Sequence, residues 1–130
     1  DRLLPLMDDE IILLWTSLWG VFLAKWLSEN TLSQKLLATI LVAPPFDNSL
    51  PWEELVWWFA LWKDLHRIGK QTDNLHFFFS DDDPIVPIEH MHKYKDKMPN
   101  AQYHILQNRW HFLLPNFPEL FQLIESIVSK

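Results

Sequence analysis

Glu10-Ile11-Ile12-Leu13-Leu14-Trp15-Thr16-Ser17-Leu18-Trp19-Gly20-Val21-Phe22-Leu23-Ala24-Lys25-Trp26-Leu27 decides the reading of this chain, because its apolar period changes at the serine. Ile11 to Leu14 are consecutive apolar residues behind the acidic Asp8-Asp9-Glu10, the pattern of a parallel strand covered on both faces. Past Ser17 the period becomes helical, with Leu18, Val21, Phe22, Lys25 (through its stem) and Trp26 on neighbouring faces. A serine between a buried strand and a helix suggests a nucleophile elbow, in which a sharp turn exposes the hydroxyl beside the helix N-terminus.

The alternation continues on both sides of this stretch. Arg2 to Met7 reads as the end of a helix, and Asp8-Asp9 as the turn into the first strand. Leu37 to Ala43 is a second buried strand, stopped by Pro44-Pro45. Asp47 to Pro51 is a loop and Trp52 to Leu65 an aromatic-rich helix. Leu75 to Phe79 is a third strand, ended by Ser80-Asp81-Asp82-Asp83-Pro84, and Ile88 to Met98 a charged helix. Ala101 to Leu106 is a short fourth strand, and Asn108 to Pro115 a loop. Pro118 to Val128 is an amphipathic helix with Leu120, Phe121, Leu123, Ile124, Ile127 and Val128 inward. Strands and helices that alternate through short loops predict an α/β fold, a parallel doubly wound sheet with flanking helices.

The 130 residues are one domain's worth, and with 48% of them hydrophobic they can bury a substantial core. The net charge of −6 and the absence of a clustered basic stripe argue against nucleic acid as a partner. No apolar run reaches the roughly 20 residues of a membrane span, so no membrane association is expected. The absence of cysteine excludes disulfides and thiolate metal sites. With no signal-peptide pattern either, a soluble cytoplasmic protein is the expectation. The chain opens at Asp1 without an initiator Met, which reads as a fragment.

Ligands of such sheets bind beyond the carboxyl ends of the strands, where the loops converge. Ser17 follows the first strand, Asp83 the third and His111 the fourth, the chain order of a nucleophile, acid and base in an α/β-hydrolase. The chemistry needs a hydroxyl nucleophile, an imidazole to take and return its proton, and a carboxylate to fix the imidazole's tautomer. Alone, each residue has a plainer reading: a helix N-cap for Ser17, a turn residue for Asp83 before Pro84, a satisfied polar group for His111. Their joint placement points to a triad, with Asp81 and Asp82 as competing carboxylates. His90-Met91-His92 reads as solvated rather than as a metal pair, since i,i+2 positions on a helix point apart. No cofactor or metal is expected. Trp52, Trp57, Trp58, Phe59 and Trp62 could line an acyl-binding lid, pack in the core or face a protein partner.

Trp15-Thr16-Ser17-Leu18-Trp19-Gly20-Val21, Leu41-Val42-Ala43-Pro44-Pro45-Phe46, Ser80-Asp81-Asp82-Asp83-Pro84-Ile85-Val86-Pro87 and Trp110-His111-Phe112 resemble the small serine hydrolases typified by retinoblastoma-binding protein nine. That family writes them G-x-S-x-G-G, a strand ending in an Ala-Pro loop, D-D-P-x-x-P and G-H-F. The resemblance runs from Asp8 to about Val128 and implies Ser17 as nucleophile, His111 as base and Asp83 as its partner. It implies the Leu18 backbone N–H as an oxyanion donor and a small-molecule acyl substrate (ester, amide or thioester). Phe46, Trp58 and Trp62, in or beside the aromatic segment after the second strand, are the substrate-binding candidates. A non-catalytic binding module that uses 52–62 to hold a protein partner is the alternative.

Two departures from the family pattern carry expectations of their own. The family places strands ahead of the elbow, so the sheet is expected to lack its N-terminal strands, to leave the first strand's edge unpaired and to aggregate or dimerise. Trp stands for Gly at 15, 19 and 110. Indoles at 15 and 19 should crowd and distort the elbow and that at 110 should crowd His111; with the oxyanion donor of the missing strands also absent, catalysis is expected near background. The count of 2 Gly against 8 Trp gives the substitutions one direction. A UGA codon, read as Trp in some genetic codes and Gly in others, would account for it, as would a decayed or engineered sequence. The coding DNA separates them: UGA at 15, 19 and 110 fits the first, and GGN or UGG codons there end it.

Overall fold

A computed structural model describes residues 10–47, 65–72, 74–112 and 116–129. The readings for 2–9 and for 52–64, Trp58 and Trp62 included, lie outside these residues. Within them the chain runs β1 (Glu10–Thr16), α1 (Ser17–Glu29), β2 (Lys35–Val42), α2 (His66–Gln71), β3 (Leu75–Ser80), α3 (Glu89–Lys97), β4 (Gln102–Leu106) and α4 (Pro118–Val128). The sheet order is β1-β2-β3-β4 and every neighbouring pair is parallel. Parallel pairing puts the carboxyl ends of all four strands on one edge.

Both faces of the sheet are covered. Ile11, Leu41, Phe77 and Phe79 pack with Leu23, Ala24 and Leu27 of α1, Ile68 of α2 and Met91 and Tyr94 of α3. On the opposite face Ala38, Ile40, Val42 and Phe78 pack with Leu120, Leu123, Ile124 and Ile127 of α4. The Leu75–Ser80 strand is buried at every position, which is why Leu75-His76-Phe77-Phe78-Phe79 reads as one unbroken run rather than an alternation.

The second strand begins earlier than its composition suggests and contains an irregularity. Ile11 pairs with Leu36 but Ile12 pairs with Ala38, so Leu37 is an extra residue. The bulge exchanges the faces: Leu36 lies in the core under α1 to α3, whereas Ala38, Ile40 and Val42 face α4. Asn74 donates from its side chain to the carbonyl of the bulged Leu37 at 2.9 Å, and the Thr39 N–H donates to the Asn74 carbonyl at 2.8 Å.

Three predicted faces need correction. In α1 the buried residues are Gly20, Val21, Leu23, Ala24, Leu27 and Ser28, so Phe22 is turned away from the core and groups with Trp15 and Trp19. In α4 the inward stripe is Leu120, Leu123, Ile124 and Ile127, spaced i, i+3, i+4 and i+7. Phe121 and Val128 lie roughly 100° around the helix from that stripe and are 61% and 62% exposed. In β1, Leu14 is exposed rather than covered, because the α4 contacts on its face stop at Ile12. Among the described residues no helix is long and apolar enough to cross a membrane.

One polar pair sits within this framework. His76 on β3 is buried, and its Nδ1 lies 2.9 Å from Nε2 of His104 on β4, with the rings stacked. One nitrogen must donate and the other accept, so protonating both rings would set two donors face to face. Burial, and then the neighbouring His104 ring, push His76 down to about 4; burial lowers His104 too. Unfolded His76 therefore takes up a proton near its ordinary 6.5 that the folded ring refuses until about pH 4. The contribution is present above 6.5 and is lost as pH falls through that window. We expect denaturation midpoints to drop between about pH 7 and about pH 4.5, and the drop to be shallower in His76→Phe. Equal pH slopes for the two proteins would refute this.

Candidate active site

The β1–α1 junction turns within one residue. Ser17 has φ 51°, in the left-handed region that non-glycine residues avoid, and the helix begins at that same residue. The N-cap is Thr16, whose side chain makes no capping hydrogen bond. Thr16 thus caps none of the first-turn N–H groups, that of Leu18 among them, which a helix start leaves without intrahelical partners.

Asp83 is buried, and both of its oxygens are engaged. Oδ1 accepts the N–H groups of Ile85 at 2.8 Å and Val86 at 2.9 Å, a local turn that Pro84 favours. Oδ2 lies 2.7 Å from Nδ1 of His111. With a carboxylate accepting there, Nδ1 carries the proton and Nε2 presents its lone pair. Nε2 in turn lies 2.7 Å from Ser17 Oγ, 94 residues away in the chain. The structure thus brings together Ser17, Asp83 and His111, each from its own loop on the carboxyl edge. Asp81 and Asp82 instead accept backbone N–H groups, from Asn108 at 3.2 Å and Trp110 at 3.0 Å.

The expected distortion of the elbow is absent, and the reason is direction rather than volume. Trp19 is 64% exposed and Trp110 61%, so both indoles project outward. Trp15 is partly buried and packs with Trp19 and Phe22, with ring centroids 6.1–6.4 Å apart. The tight approach falls one residue later: a Cβ on Gly20 would stand 3.1 Å from Pro44 Cβ. Gly20 is thus the small residue that lets α1 lie against the loop after β2.

Phe46, expected as a substrate contact, is partly buried on the loop after β2. Its ring packs edge-on to Tyr94 at 5.0 Å and against the core, while its N–H donates to Nδ1 of buried His90 at 2.9 Å. Tyr94 completes the anchor by donating to the Pro45 carbonyl at 2.8 Å. His90 is thus a structural acceptor and His92 is exposed. Among the described residues no group of three or more metal-ligating side chains gathers. Sequence reasoning also missed Arg109, which pairs with Glu119 at the start of α4 and donates to the Asn116 carbonyl at 3.2 Å, tying the histidine loop to that helix.

The strand order, the flanking helices and a serine at the first turn define the α/β-hydrolase fold. Solved structures agree on the fold. The ydeN gene product of B. subtilis superposes with a TM-score of 0.81 at 22% identity, over 99% of this chain and 71% of that one. A structure from work on the carboxylesterases of the thaumarchaeon Nitrososphaera gargenis gives 0.68 at 9% identity, over 98% and 68%. A sugar hydrolase from Lactococcus lactis gives 0.55 at 19%, over 88% and 54%. No protein-family model matches the sequence, and no curated protein matches it.

Trp110 has φ 52°, a conformation that costs an L-residue about 1–2 kcal/mol and glycine almost nothing. Because its indole is mostly in solvent, Trp110→Gly is expected to stabilise the fold by about 0.5–1 kcal/mol. Trp19→Gly, in the interior of a helix, should destabilise it by about 0.5 kcal/mol. Urea midpoints of the two variants check the opposite signs.

Proposed function

We propose that this chain carries the catalytic centre of a serine hydrolase that cleaves a small ester, amide or thioester by acyl transfer. The observation that supports it most is the continuous series Ser17 Oγ, His111 Nε2, His111 Nδ1 and Asp83 Oδ2, with both links at 2.7 Å. The motif resemblance to the retinoblastoma-binding protein nine type of hydrolase points the same way, as does the hydrolase naming of the structural neighbours.

In this reading Ser17 Oγ attacks the substrate carbonyl carbon while His111 Nε2 takes the hydroxyl proton. Asp83 stabilises the imidazolium and holds the ring in place. As the tetrahedral intermediate collapses, His111 gives that proton to the leaving group, and an acyl-Ser17 ester remains. Water then attacks the ester with His111 again as base, which releases the acid and restores Ser17. The developing oxyanion lies beside the start of α1, where the Leu18 N–H is the proposed donor; one such donor contributes on the order of 10²–10³ in rate. Trp58 and Trp62 belong to this proposal as acyl contacts. The binding-module alternative needs 52–62 as its contact surface and does not use the Ser17–His111–Asp83 series.

A fluorophosphonate probe is expected to label the purified chain at Ser17. p-Nitrophenyl acetate turnover should fall by on the order of 10⁴ or more in Ser17→Ala and in His111→Ala. Undiminished labelling of Ser17→Ala would overturn the assignment.

A further inference from the structure

The loop after β3 holds the loop after β4 residue by residue. Asp81 Oδ1 accepts the Asn108 N–H at 3.2 Å, Ser80 Oγ the Arg109 N–H at 3.1 Å and Asp82 Oδ1 the Trp110 N–H at 3.0 Å. Asp83 Oδ2 then meets the His111 ring at 2.7 Å. Ser80 is fully buried and also donates to Asp82 Oδ1 at 2.6 Å, so Arg109 and Trp110 are joined through one hydroxyl and one carboxylate.

The backbone held in this way is one the chain does not adopt unaided. Asn108, Trp110 and Phe112 have φ of 58°, 52° and 57°, left-handed residues alternating with others and none of them glycine. His111 sits between two of them, so the direction of its imidazole depends on a conformation that the neighbouring loop must impose. Arg109 and Trp110 are the two residues directly before it, and both end on Asp82, one directly and one through Ser80.

We propose that Asp82, bridged by Ser80, is a positioning residue for His111, holding 108–112 so that the imidazole lies between Asp83 and Ser17. The inference rests on the triad reading above. Asp82 touches neither substrate nor nucleophile; its work is done on the Trp110 N–H. Its hydrogen bond from Ser80 keeps the carboxyl below the usual carboxylate range, so it remains an ionised acceptor wherever a histidine base operates. The task requires an oxygen acceptor at that position and not a charge, which separates two substitutions: alanine removes the acceptor and asparagine keeps it.

The test uses the full chain and two readouts, p-nitrophenyl acetate kinetics and the low-field NMR signal of the His111 Nδ1 proton, assigned by its loss in His111→Gln. In Asp82→Ala, kcat is expected to fall about tenfold to a hundredfold, with KM moving less than about twofold, because a misplaced base costs rate rather than binding. The His111 proton signal should broaden or vanish. Asp82→Asn should recover the signal and bring kcat back to within about threefold. If Asp82→Ala does not fold, Ser80→Ala replaces it, with the same loss expected. Wild-type kcat and a sharp proton signal in Asp82→Ala would overturn the inference, as would failure of Asp82→Asn to recover either readout. A wild-type chain without turnover would sink the hydrolase reading alone. The proton signal would then decide the positioning role: loss in Asp82→Ala with recovery in Asp82→Asn supports it, and persistence in both overturns it.

Discussion

The hydrogen bond between the Asp83 carboxylate and the His111 ring ties two loops that the sheet only brings side by side. β3 and β4 end in register, Ser80 opposite Leu106, so their loops leave the same edge together. Nothing in that register dictates which groups meet beyond it. Asp83 does so because its other oxygen is already committed to Ile85 and Val86, which leaves one oxygen aimed outward and little freedom to swing. A buried carboxylate with fewer partners would be costly; here each oxygen has a donor or a ring nitrogen facing it.

The sheet supplies the rigidity against which the strained edge is held. Among the described residues the non-glycine positions with positive φ are Ser17, Ala43, Asn108, Trp110 and Phe112, and all of them follow a strand on the carboxyl edge. At about 1–2 kcal/mol each, these conformations persist only where their surroundings over-determine them. The Phe77-Phe78-Phe79 run, buried between helices on both faces, anchors the middle of the sheet, and Gly20 lets α1 close against Pro44 beside Ser17. Strain therefore collects at the edge where chemistry would take place and is offset by packing behind it.

Much of this was legible in the sequence for a simple reason: strand, turn and helix periods are local, and parallel alternation fixes which ends converge. That reasoning finds the Ile11 strand, the Leu75 strand, the Pro118 helix and the convergence of Ser17, Asp83 and His111. What it missed depends on direction and register. The size of an indole says nothing of where it points, so Trp19 and Trp110 read as obstructions although both face solvent, and the tight contact belongs to Gly20. An extra residue inside an unbroken apolar run is invisible, so the Leu37 bulge had no signature. The acids at 81 and 82 were visible, but their partners are backbone N–H groups 27 and 28 residues away, which no side-chain pattern reports.

The sheet order has a bearing on how the molecule comes together. Each strand lies beside its predecessor in the chain, so the sheet can grow by successive addition, whereas Ser17 and His111 are 94 residues apart and belong to the first and last strands' loops. The intervening strands set the spacing between the two loops, and the one-residue turn at Ser17 and the folded 108–112 loop set their aim. Without β4 beside β3, no imidazole would lie near Ser17. The contact between Ser17 and His111 therefore depends on the whole described sheet being in place, more than any single strand pair does.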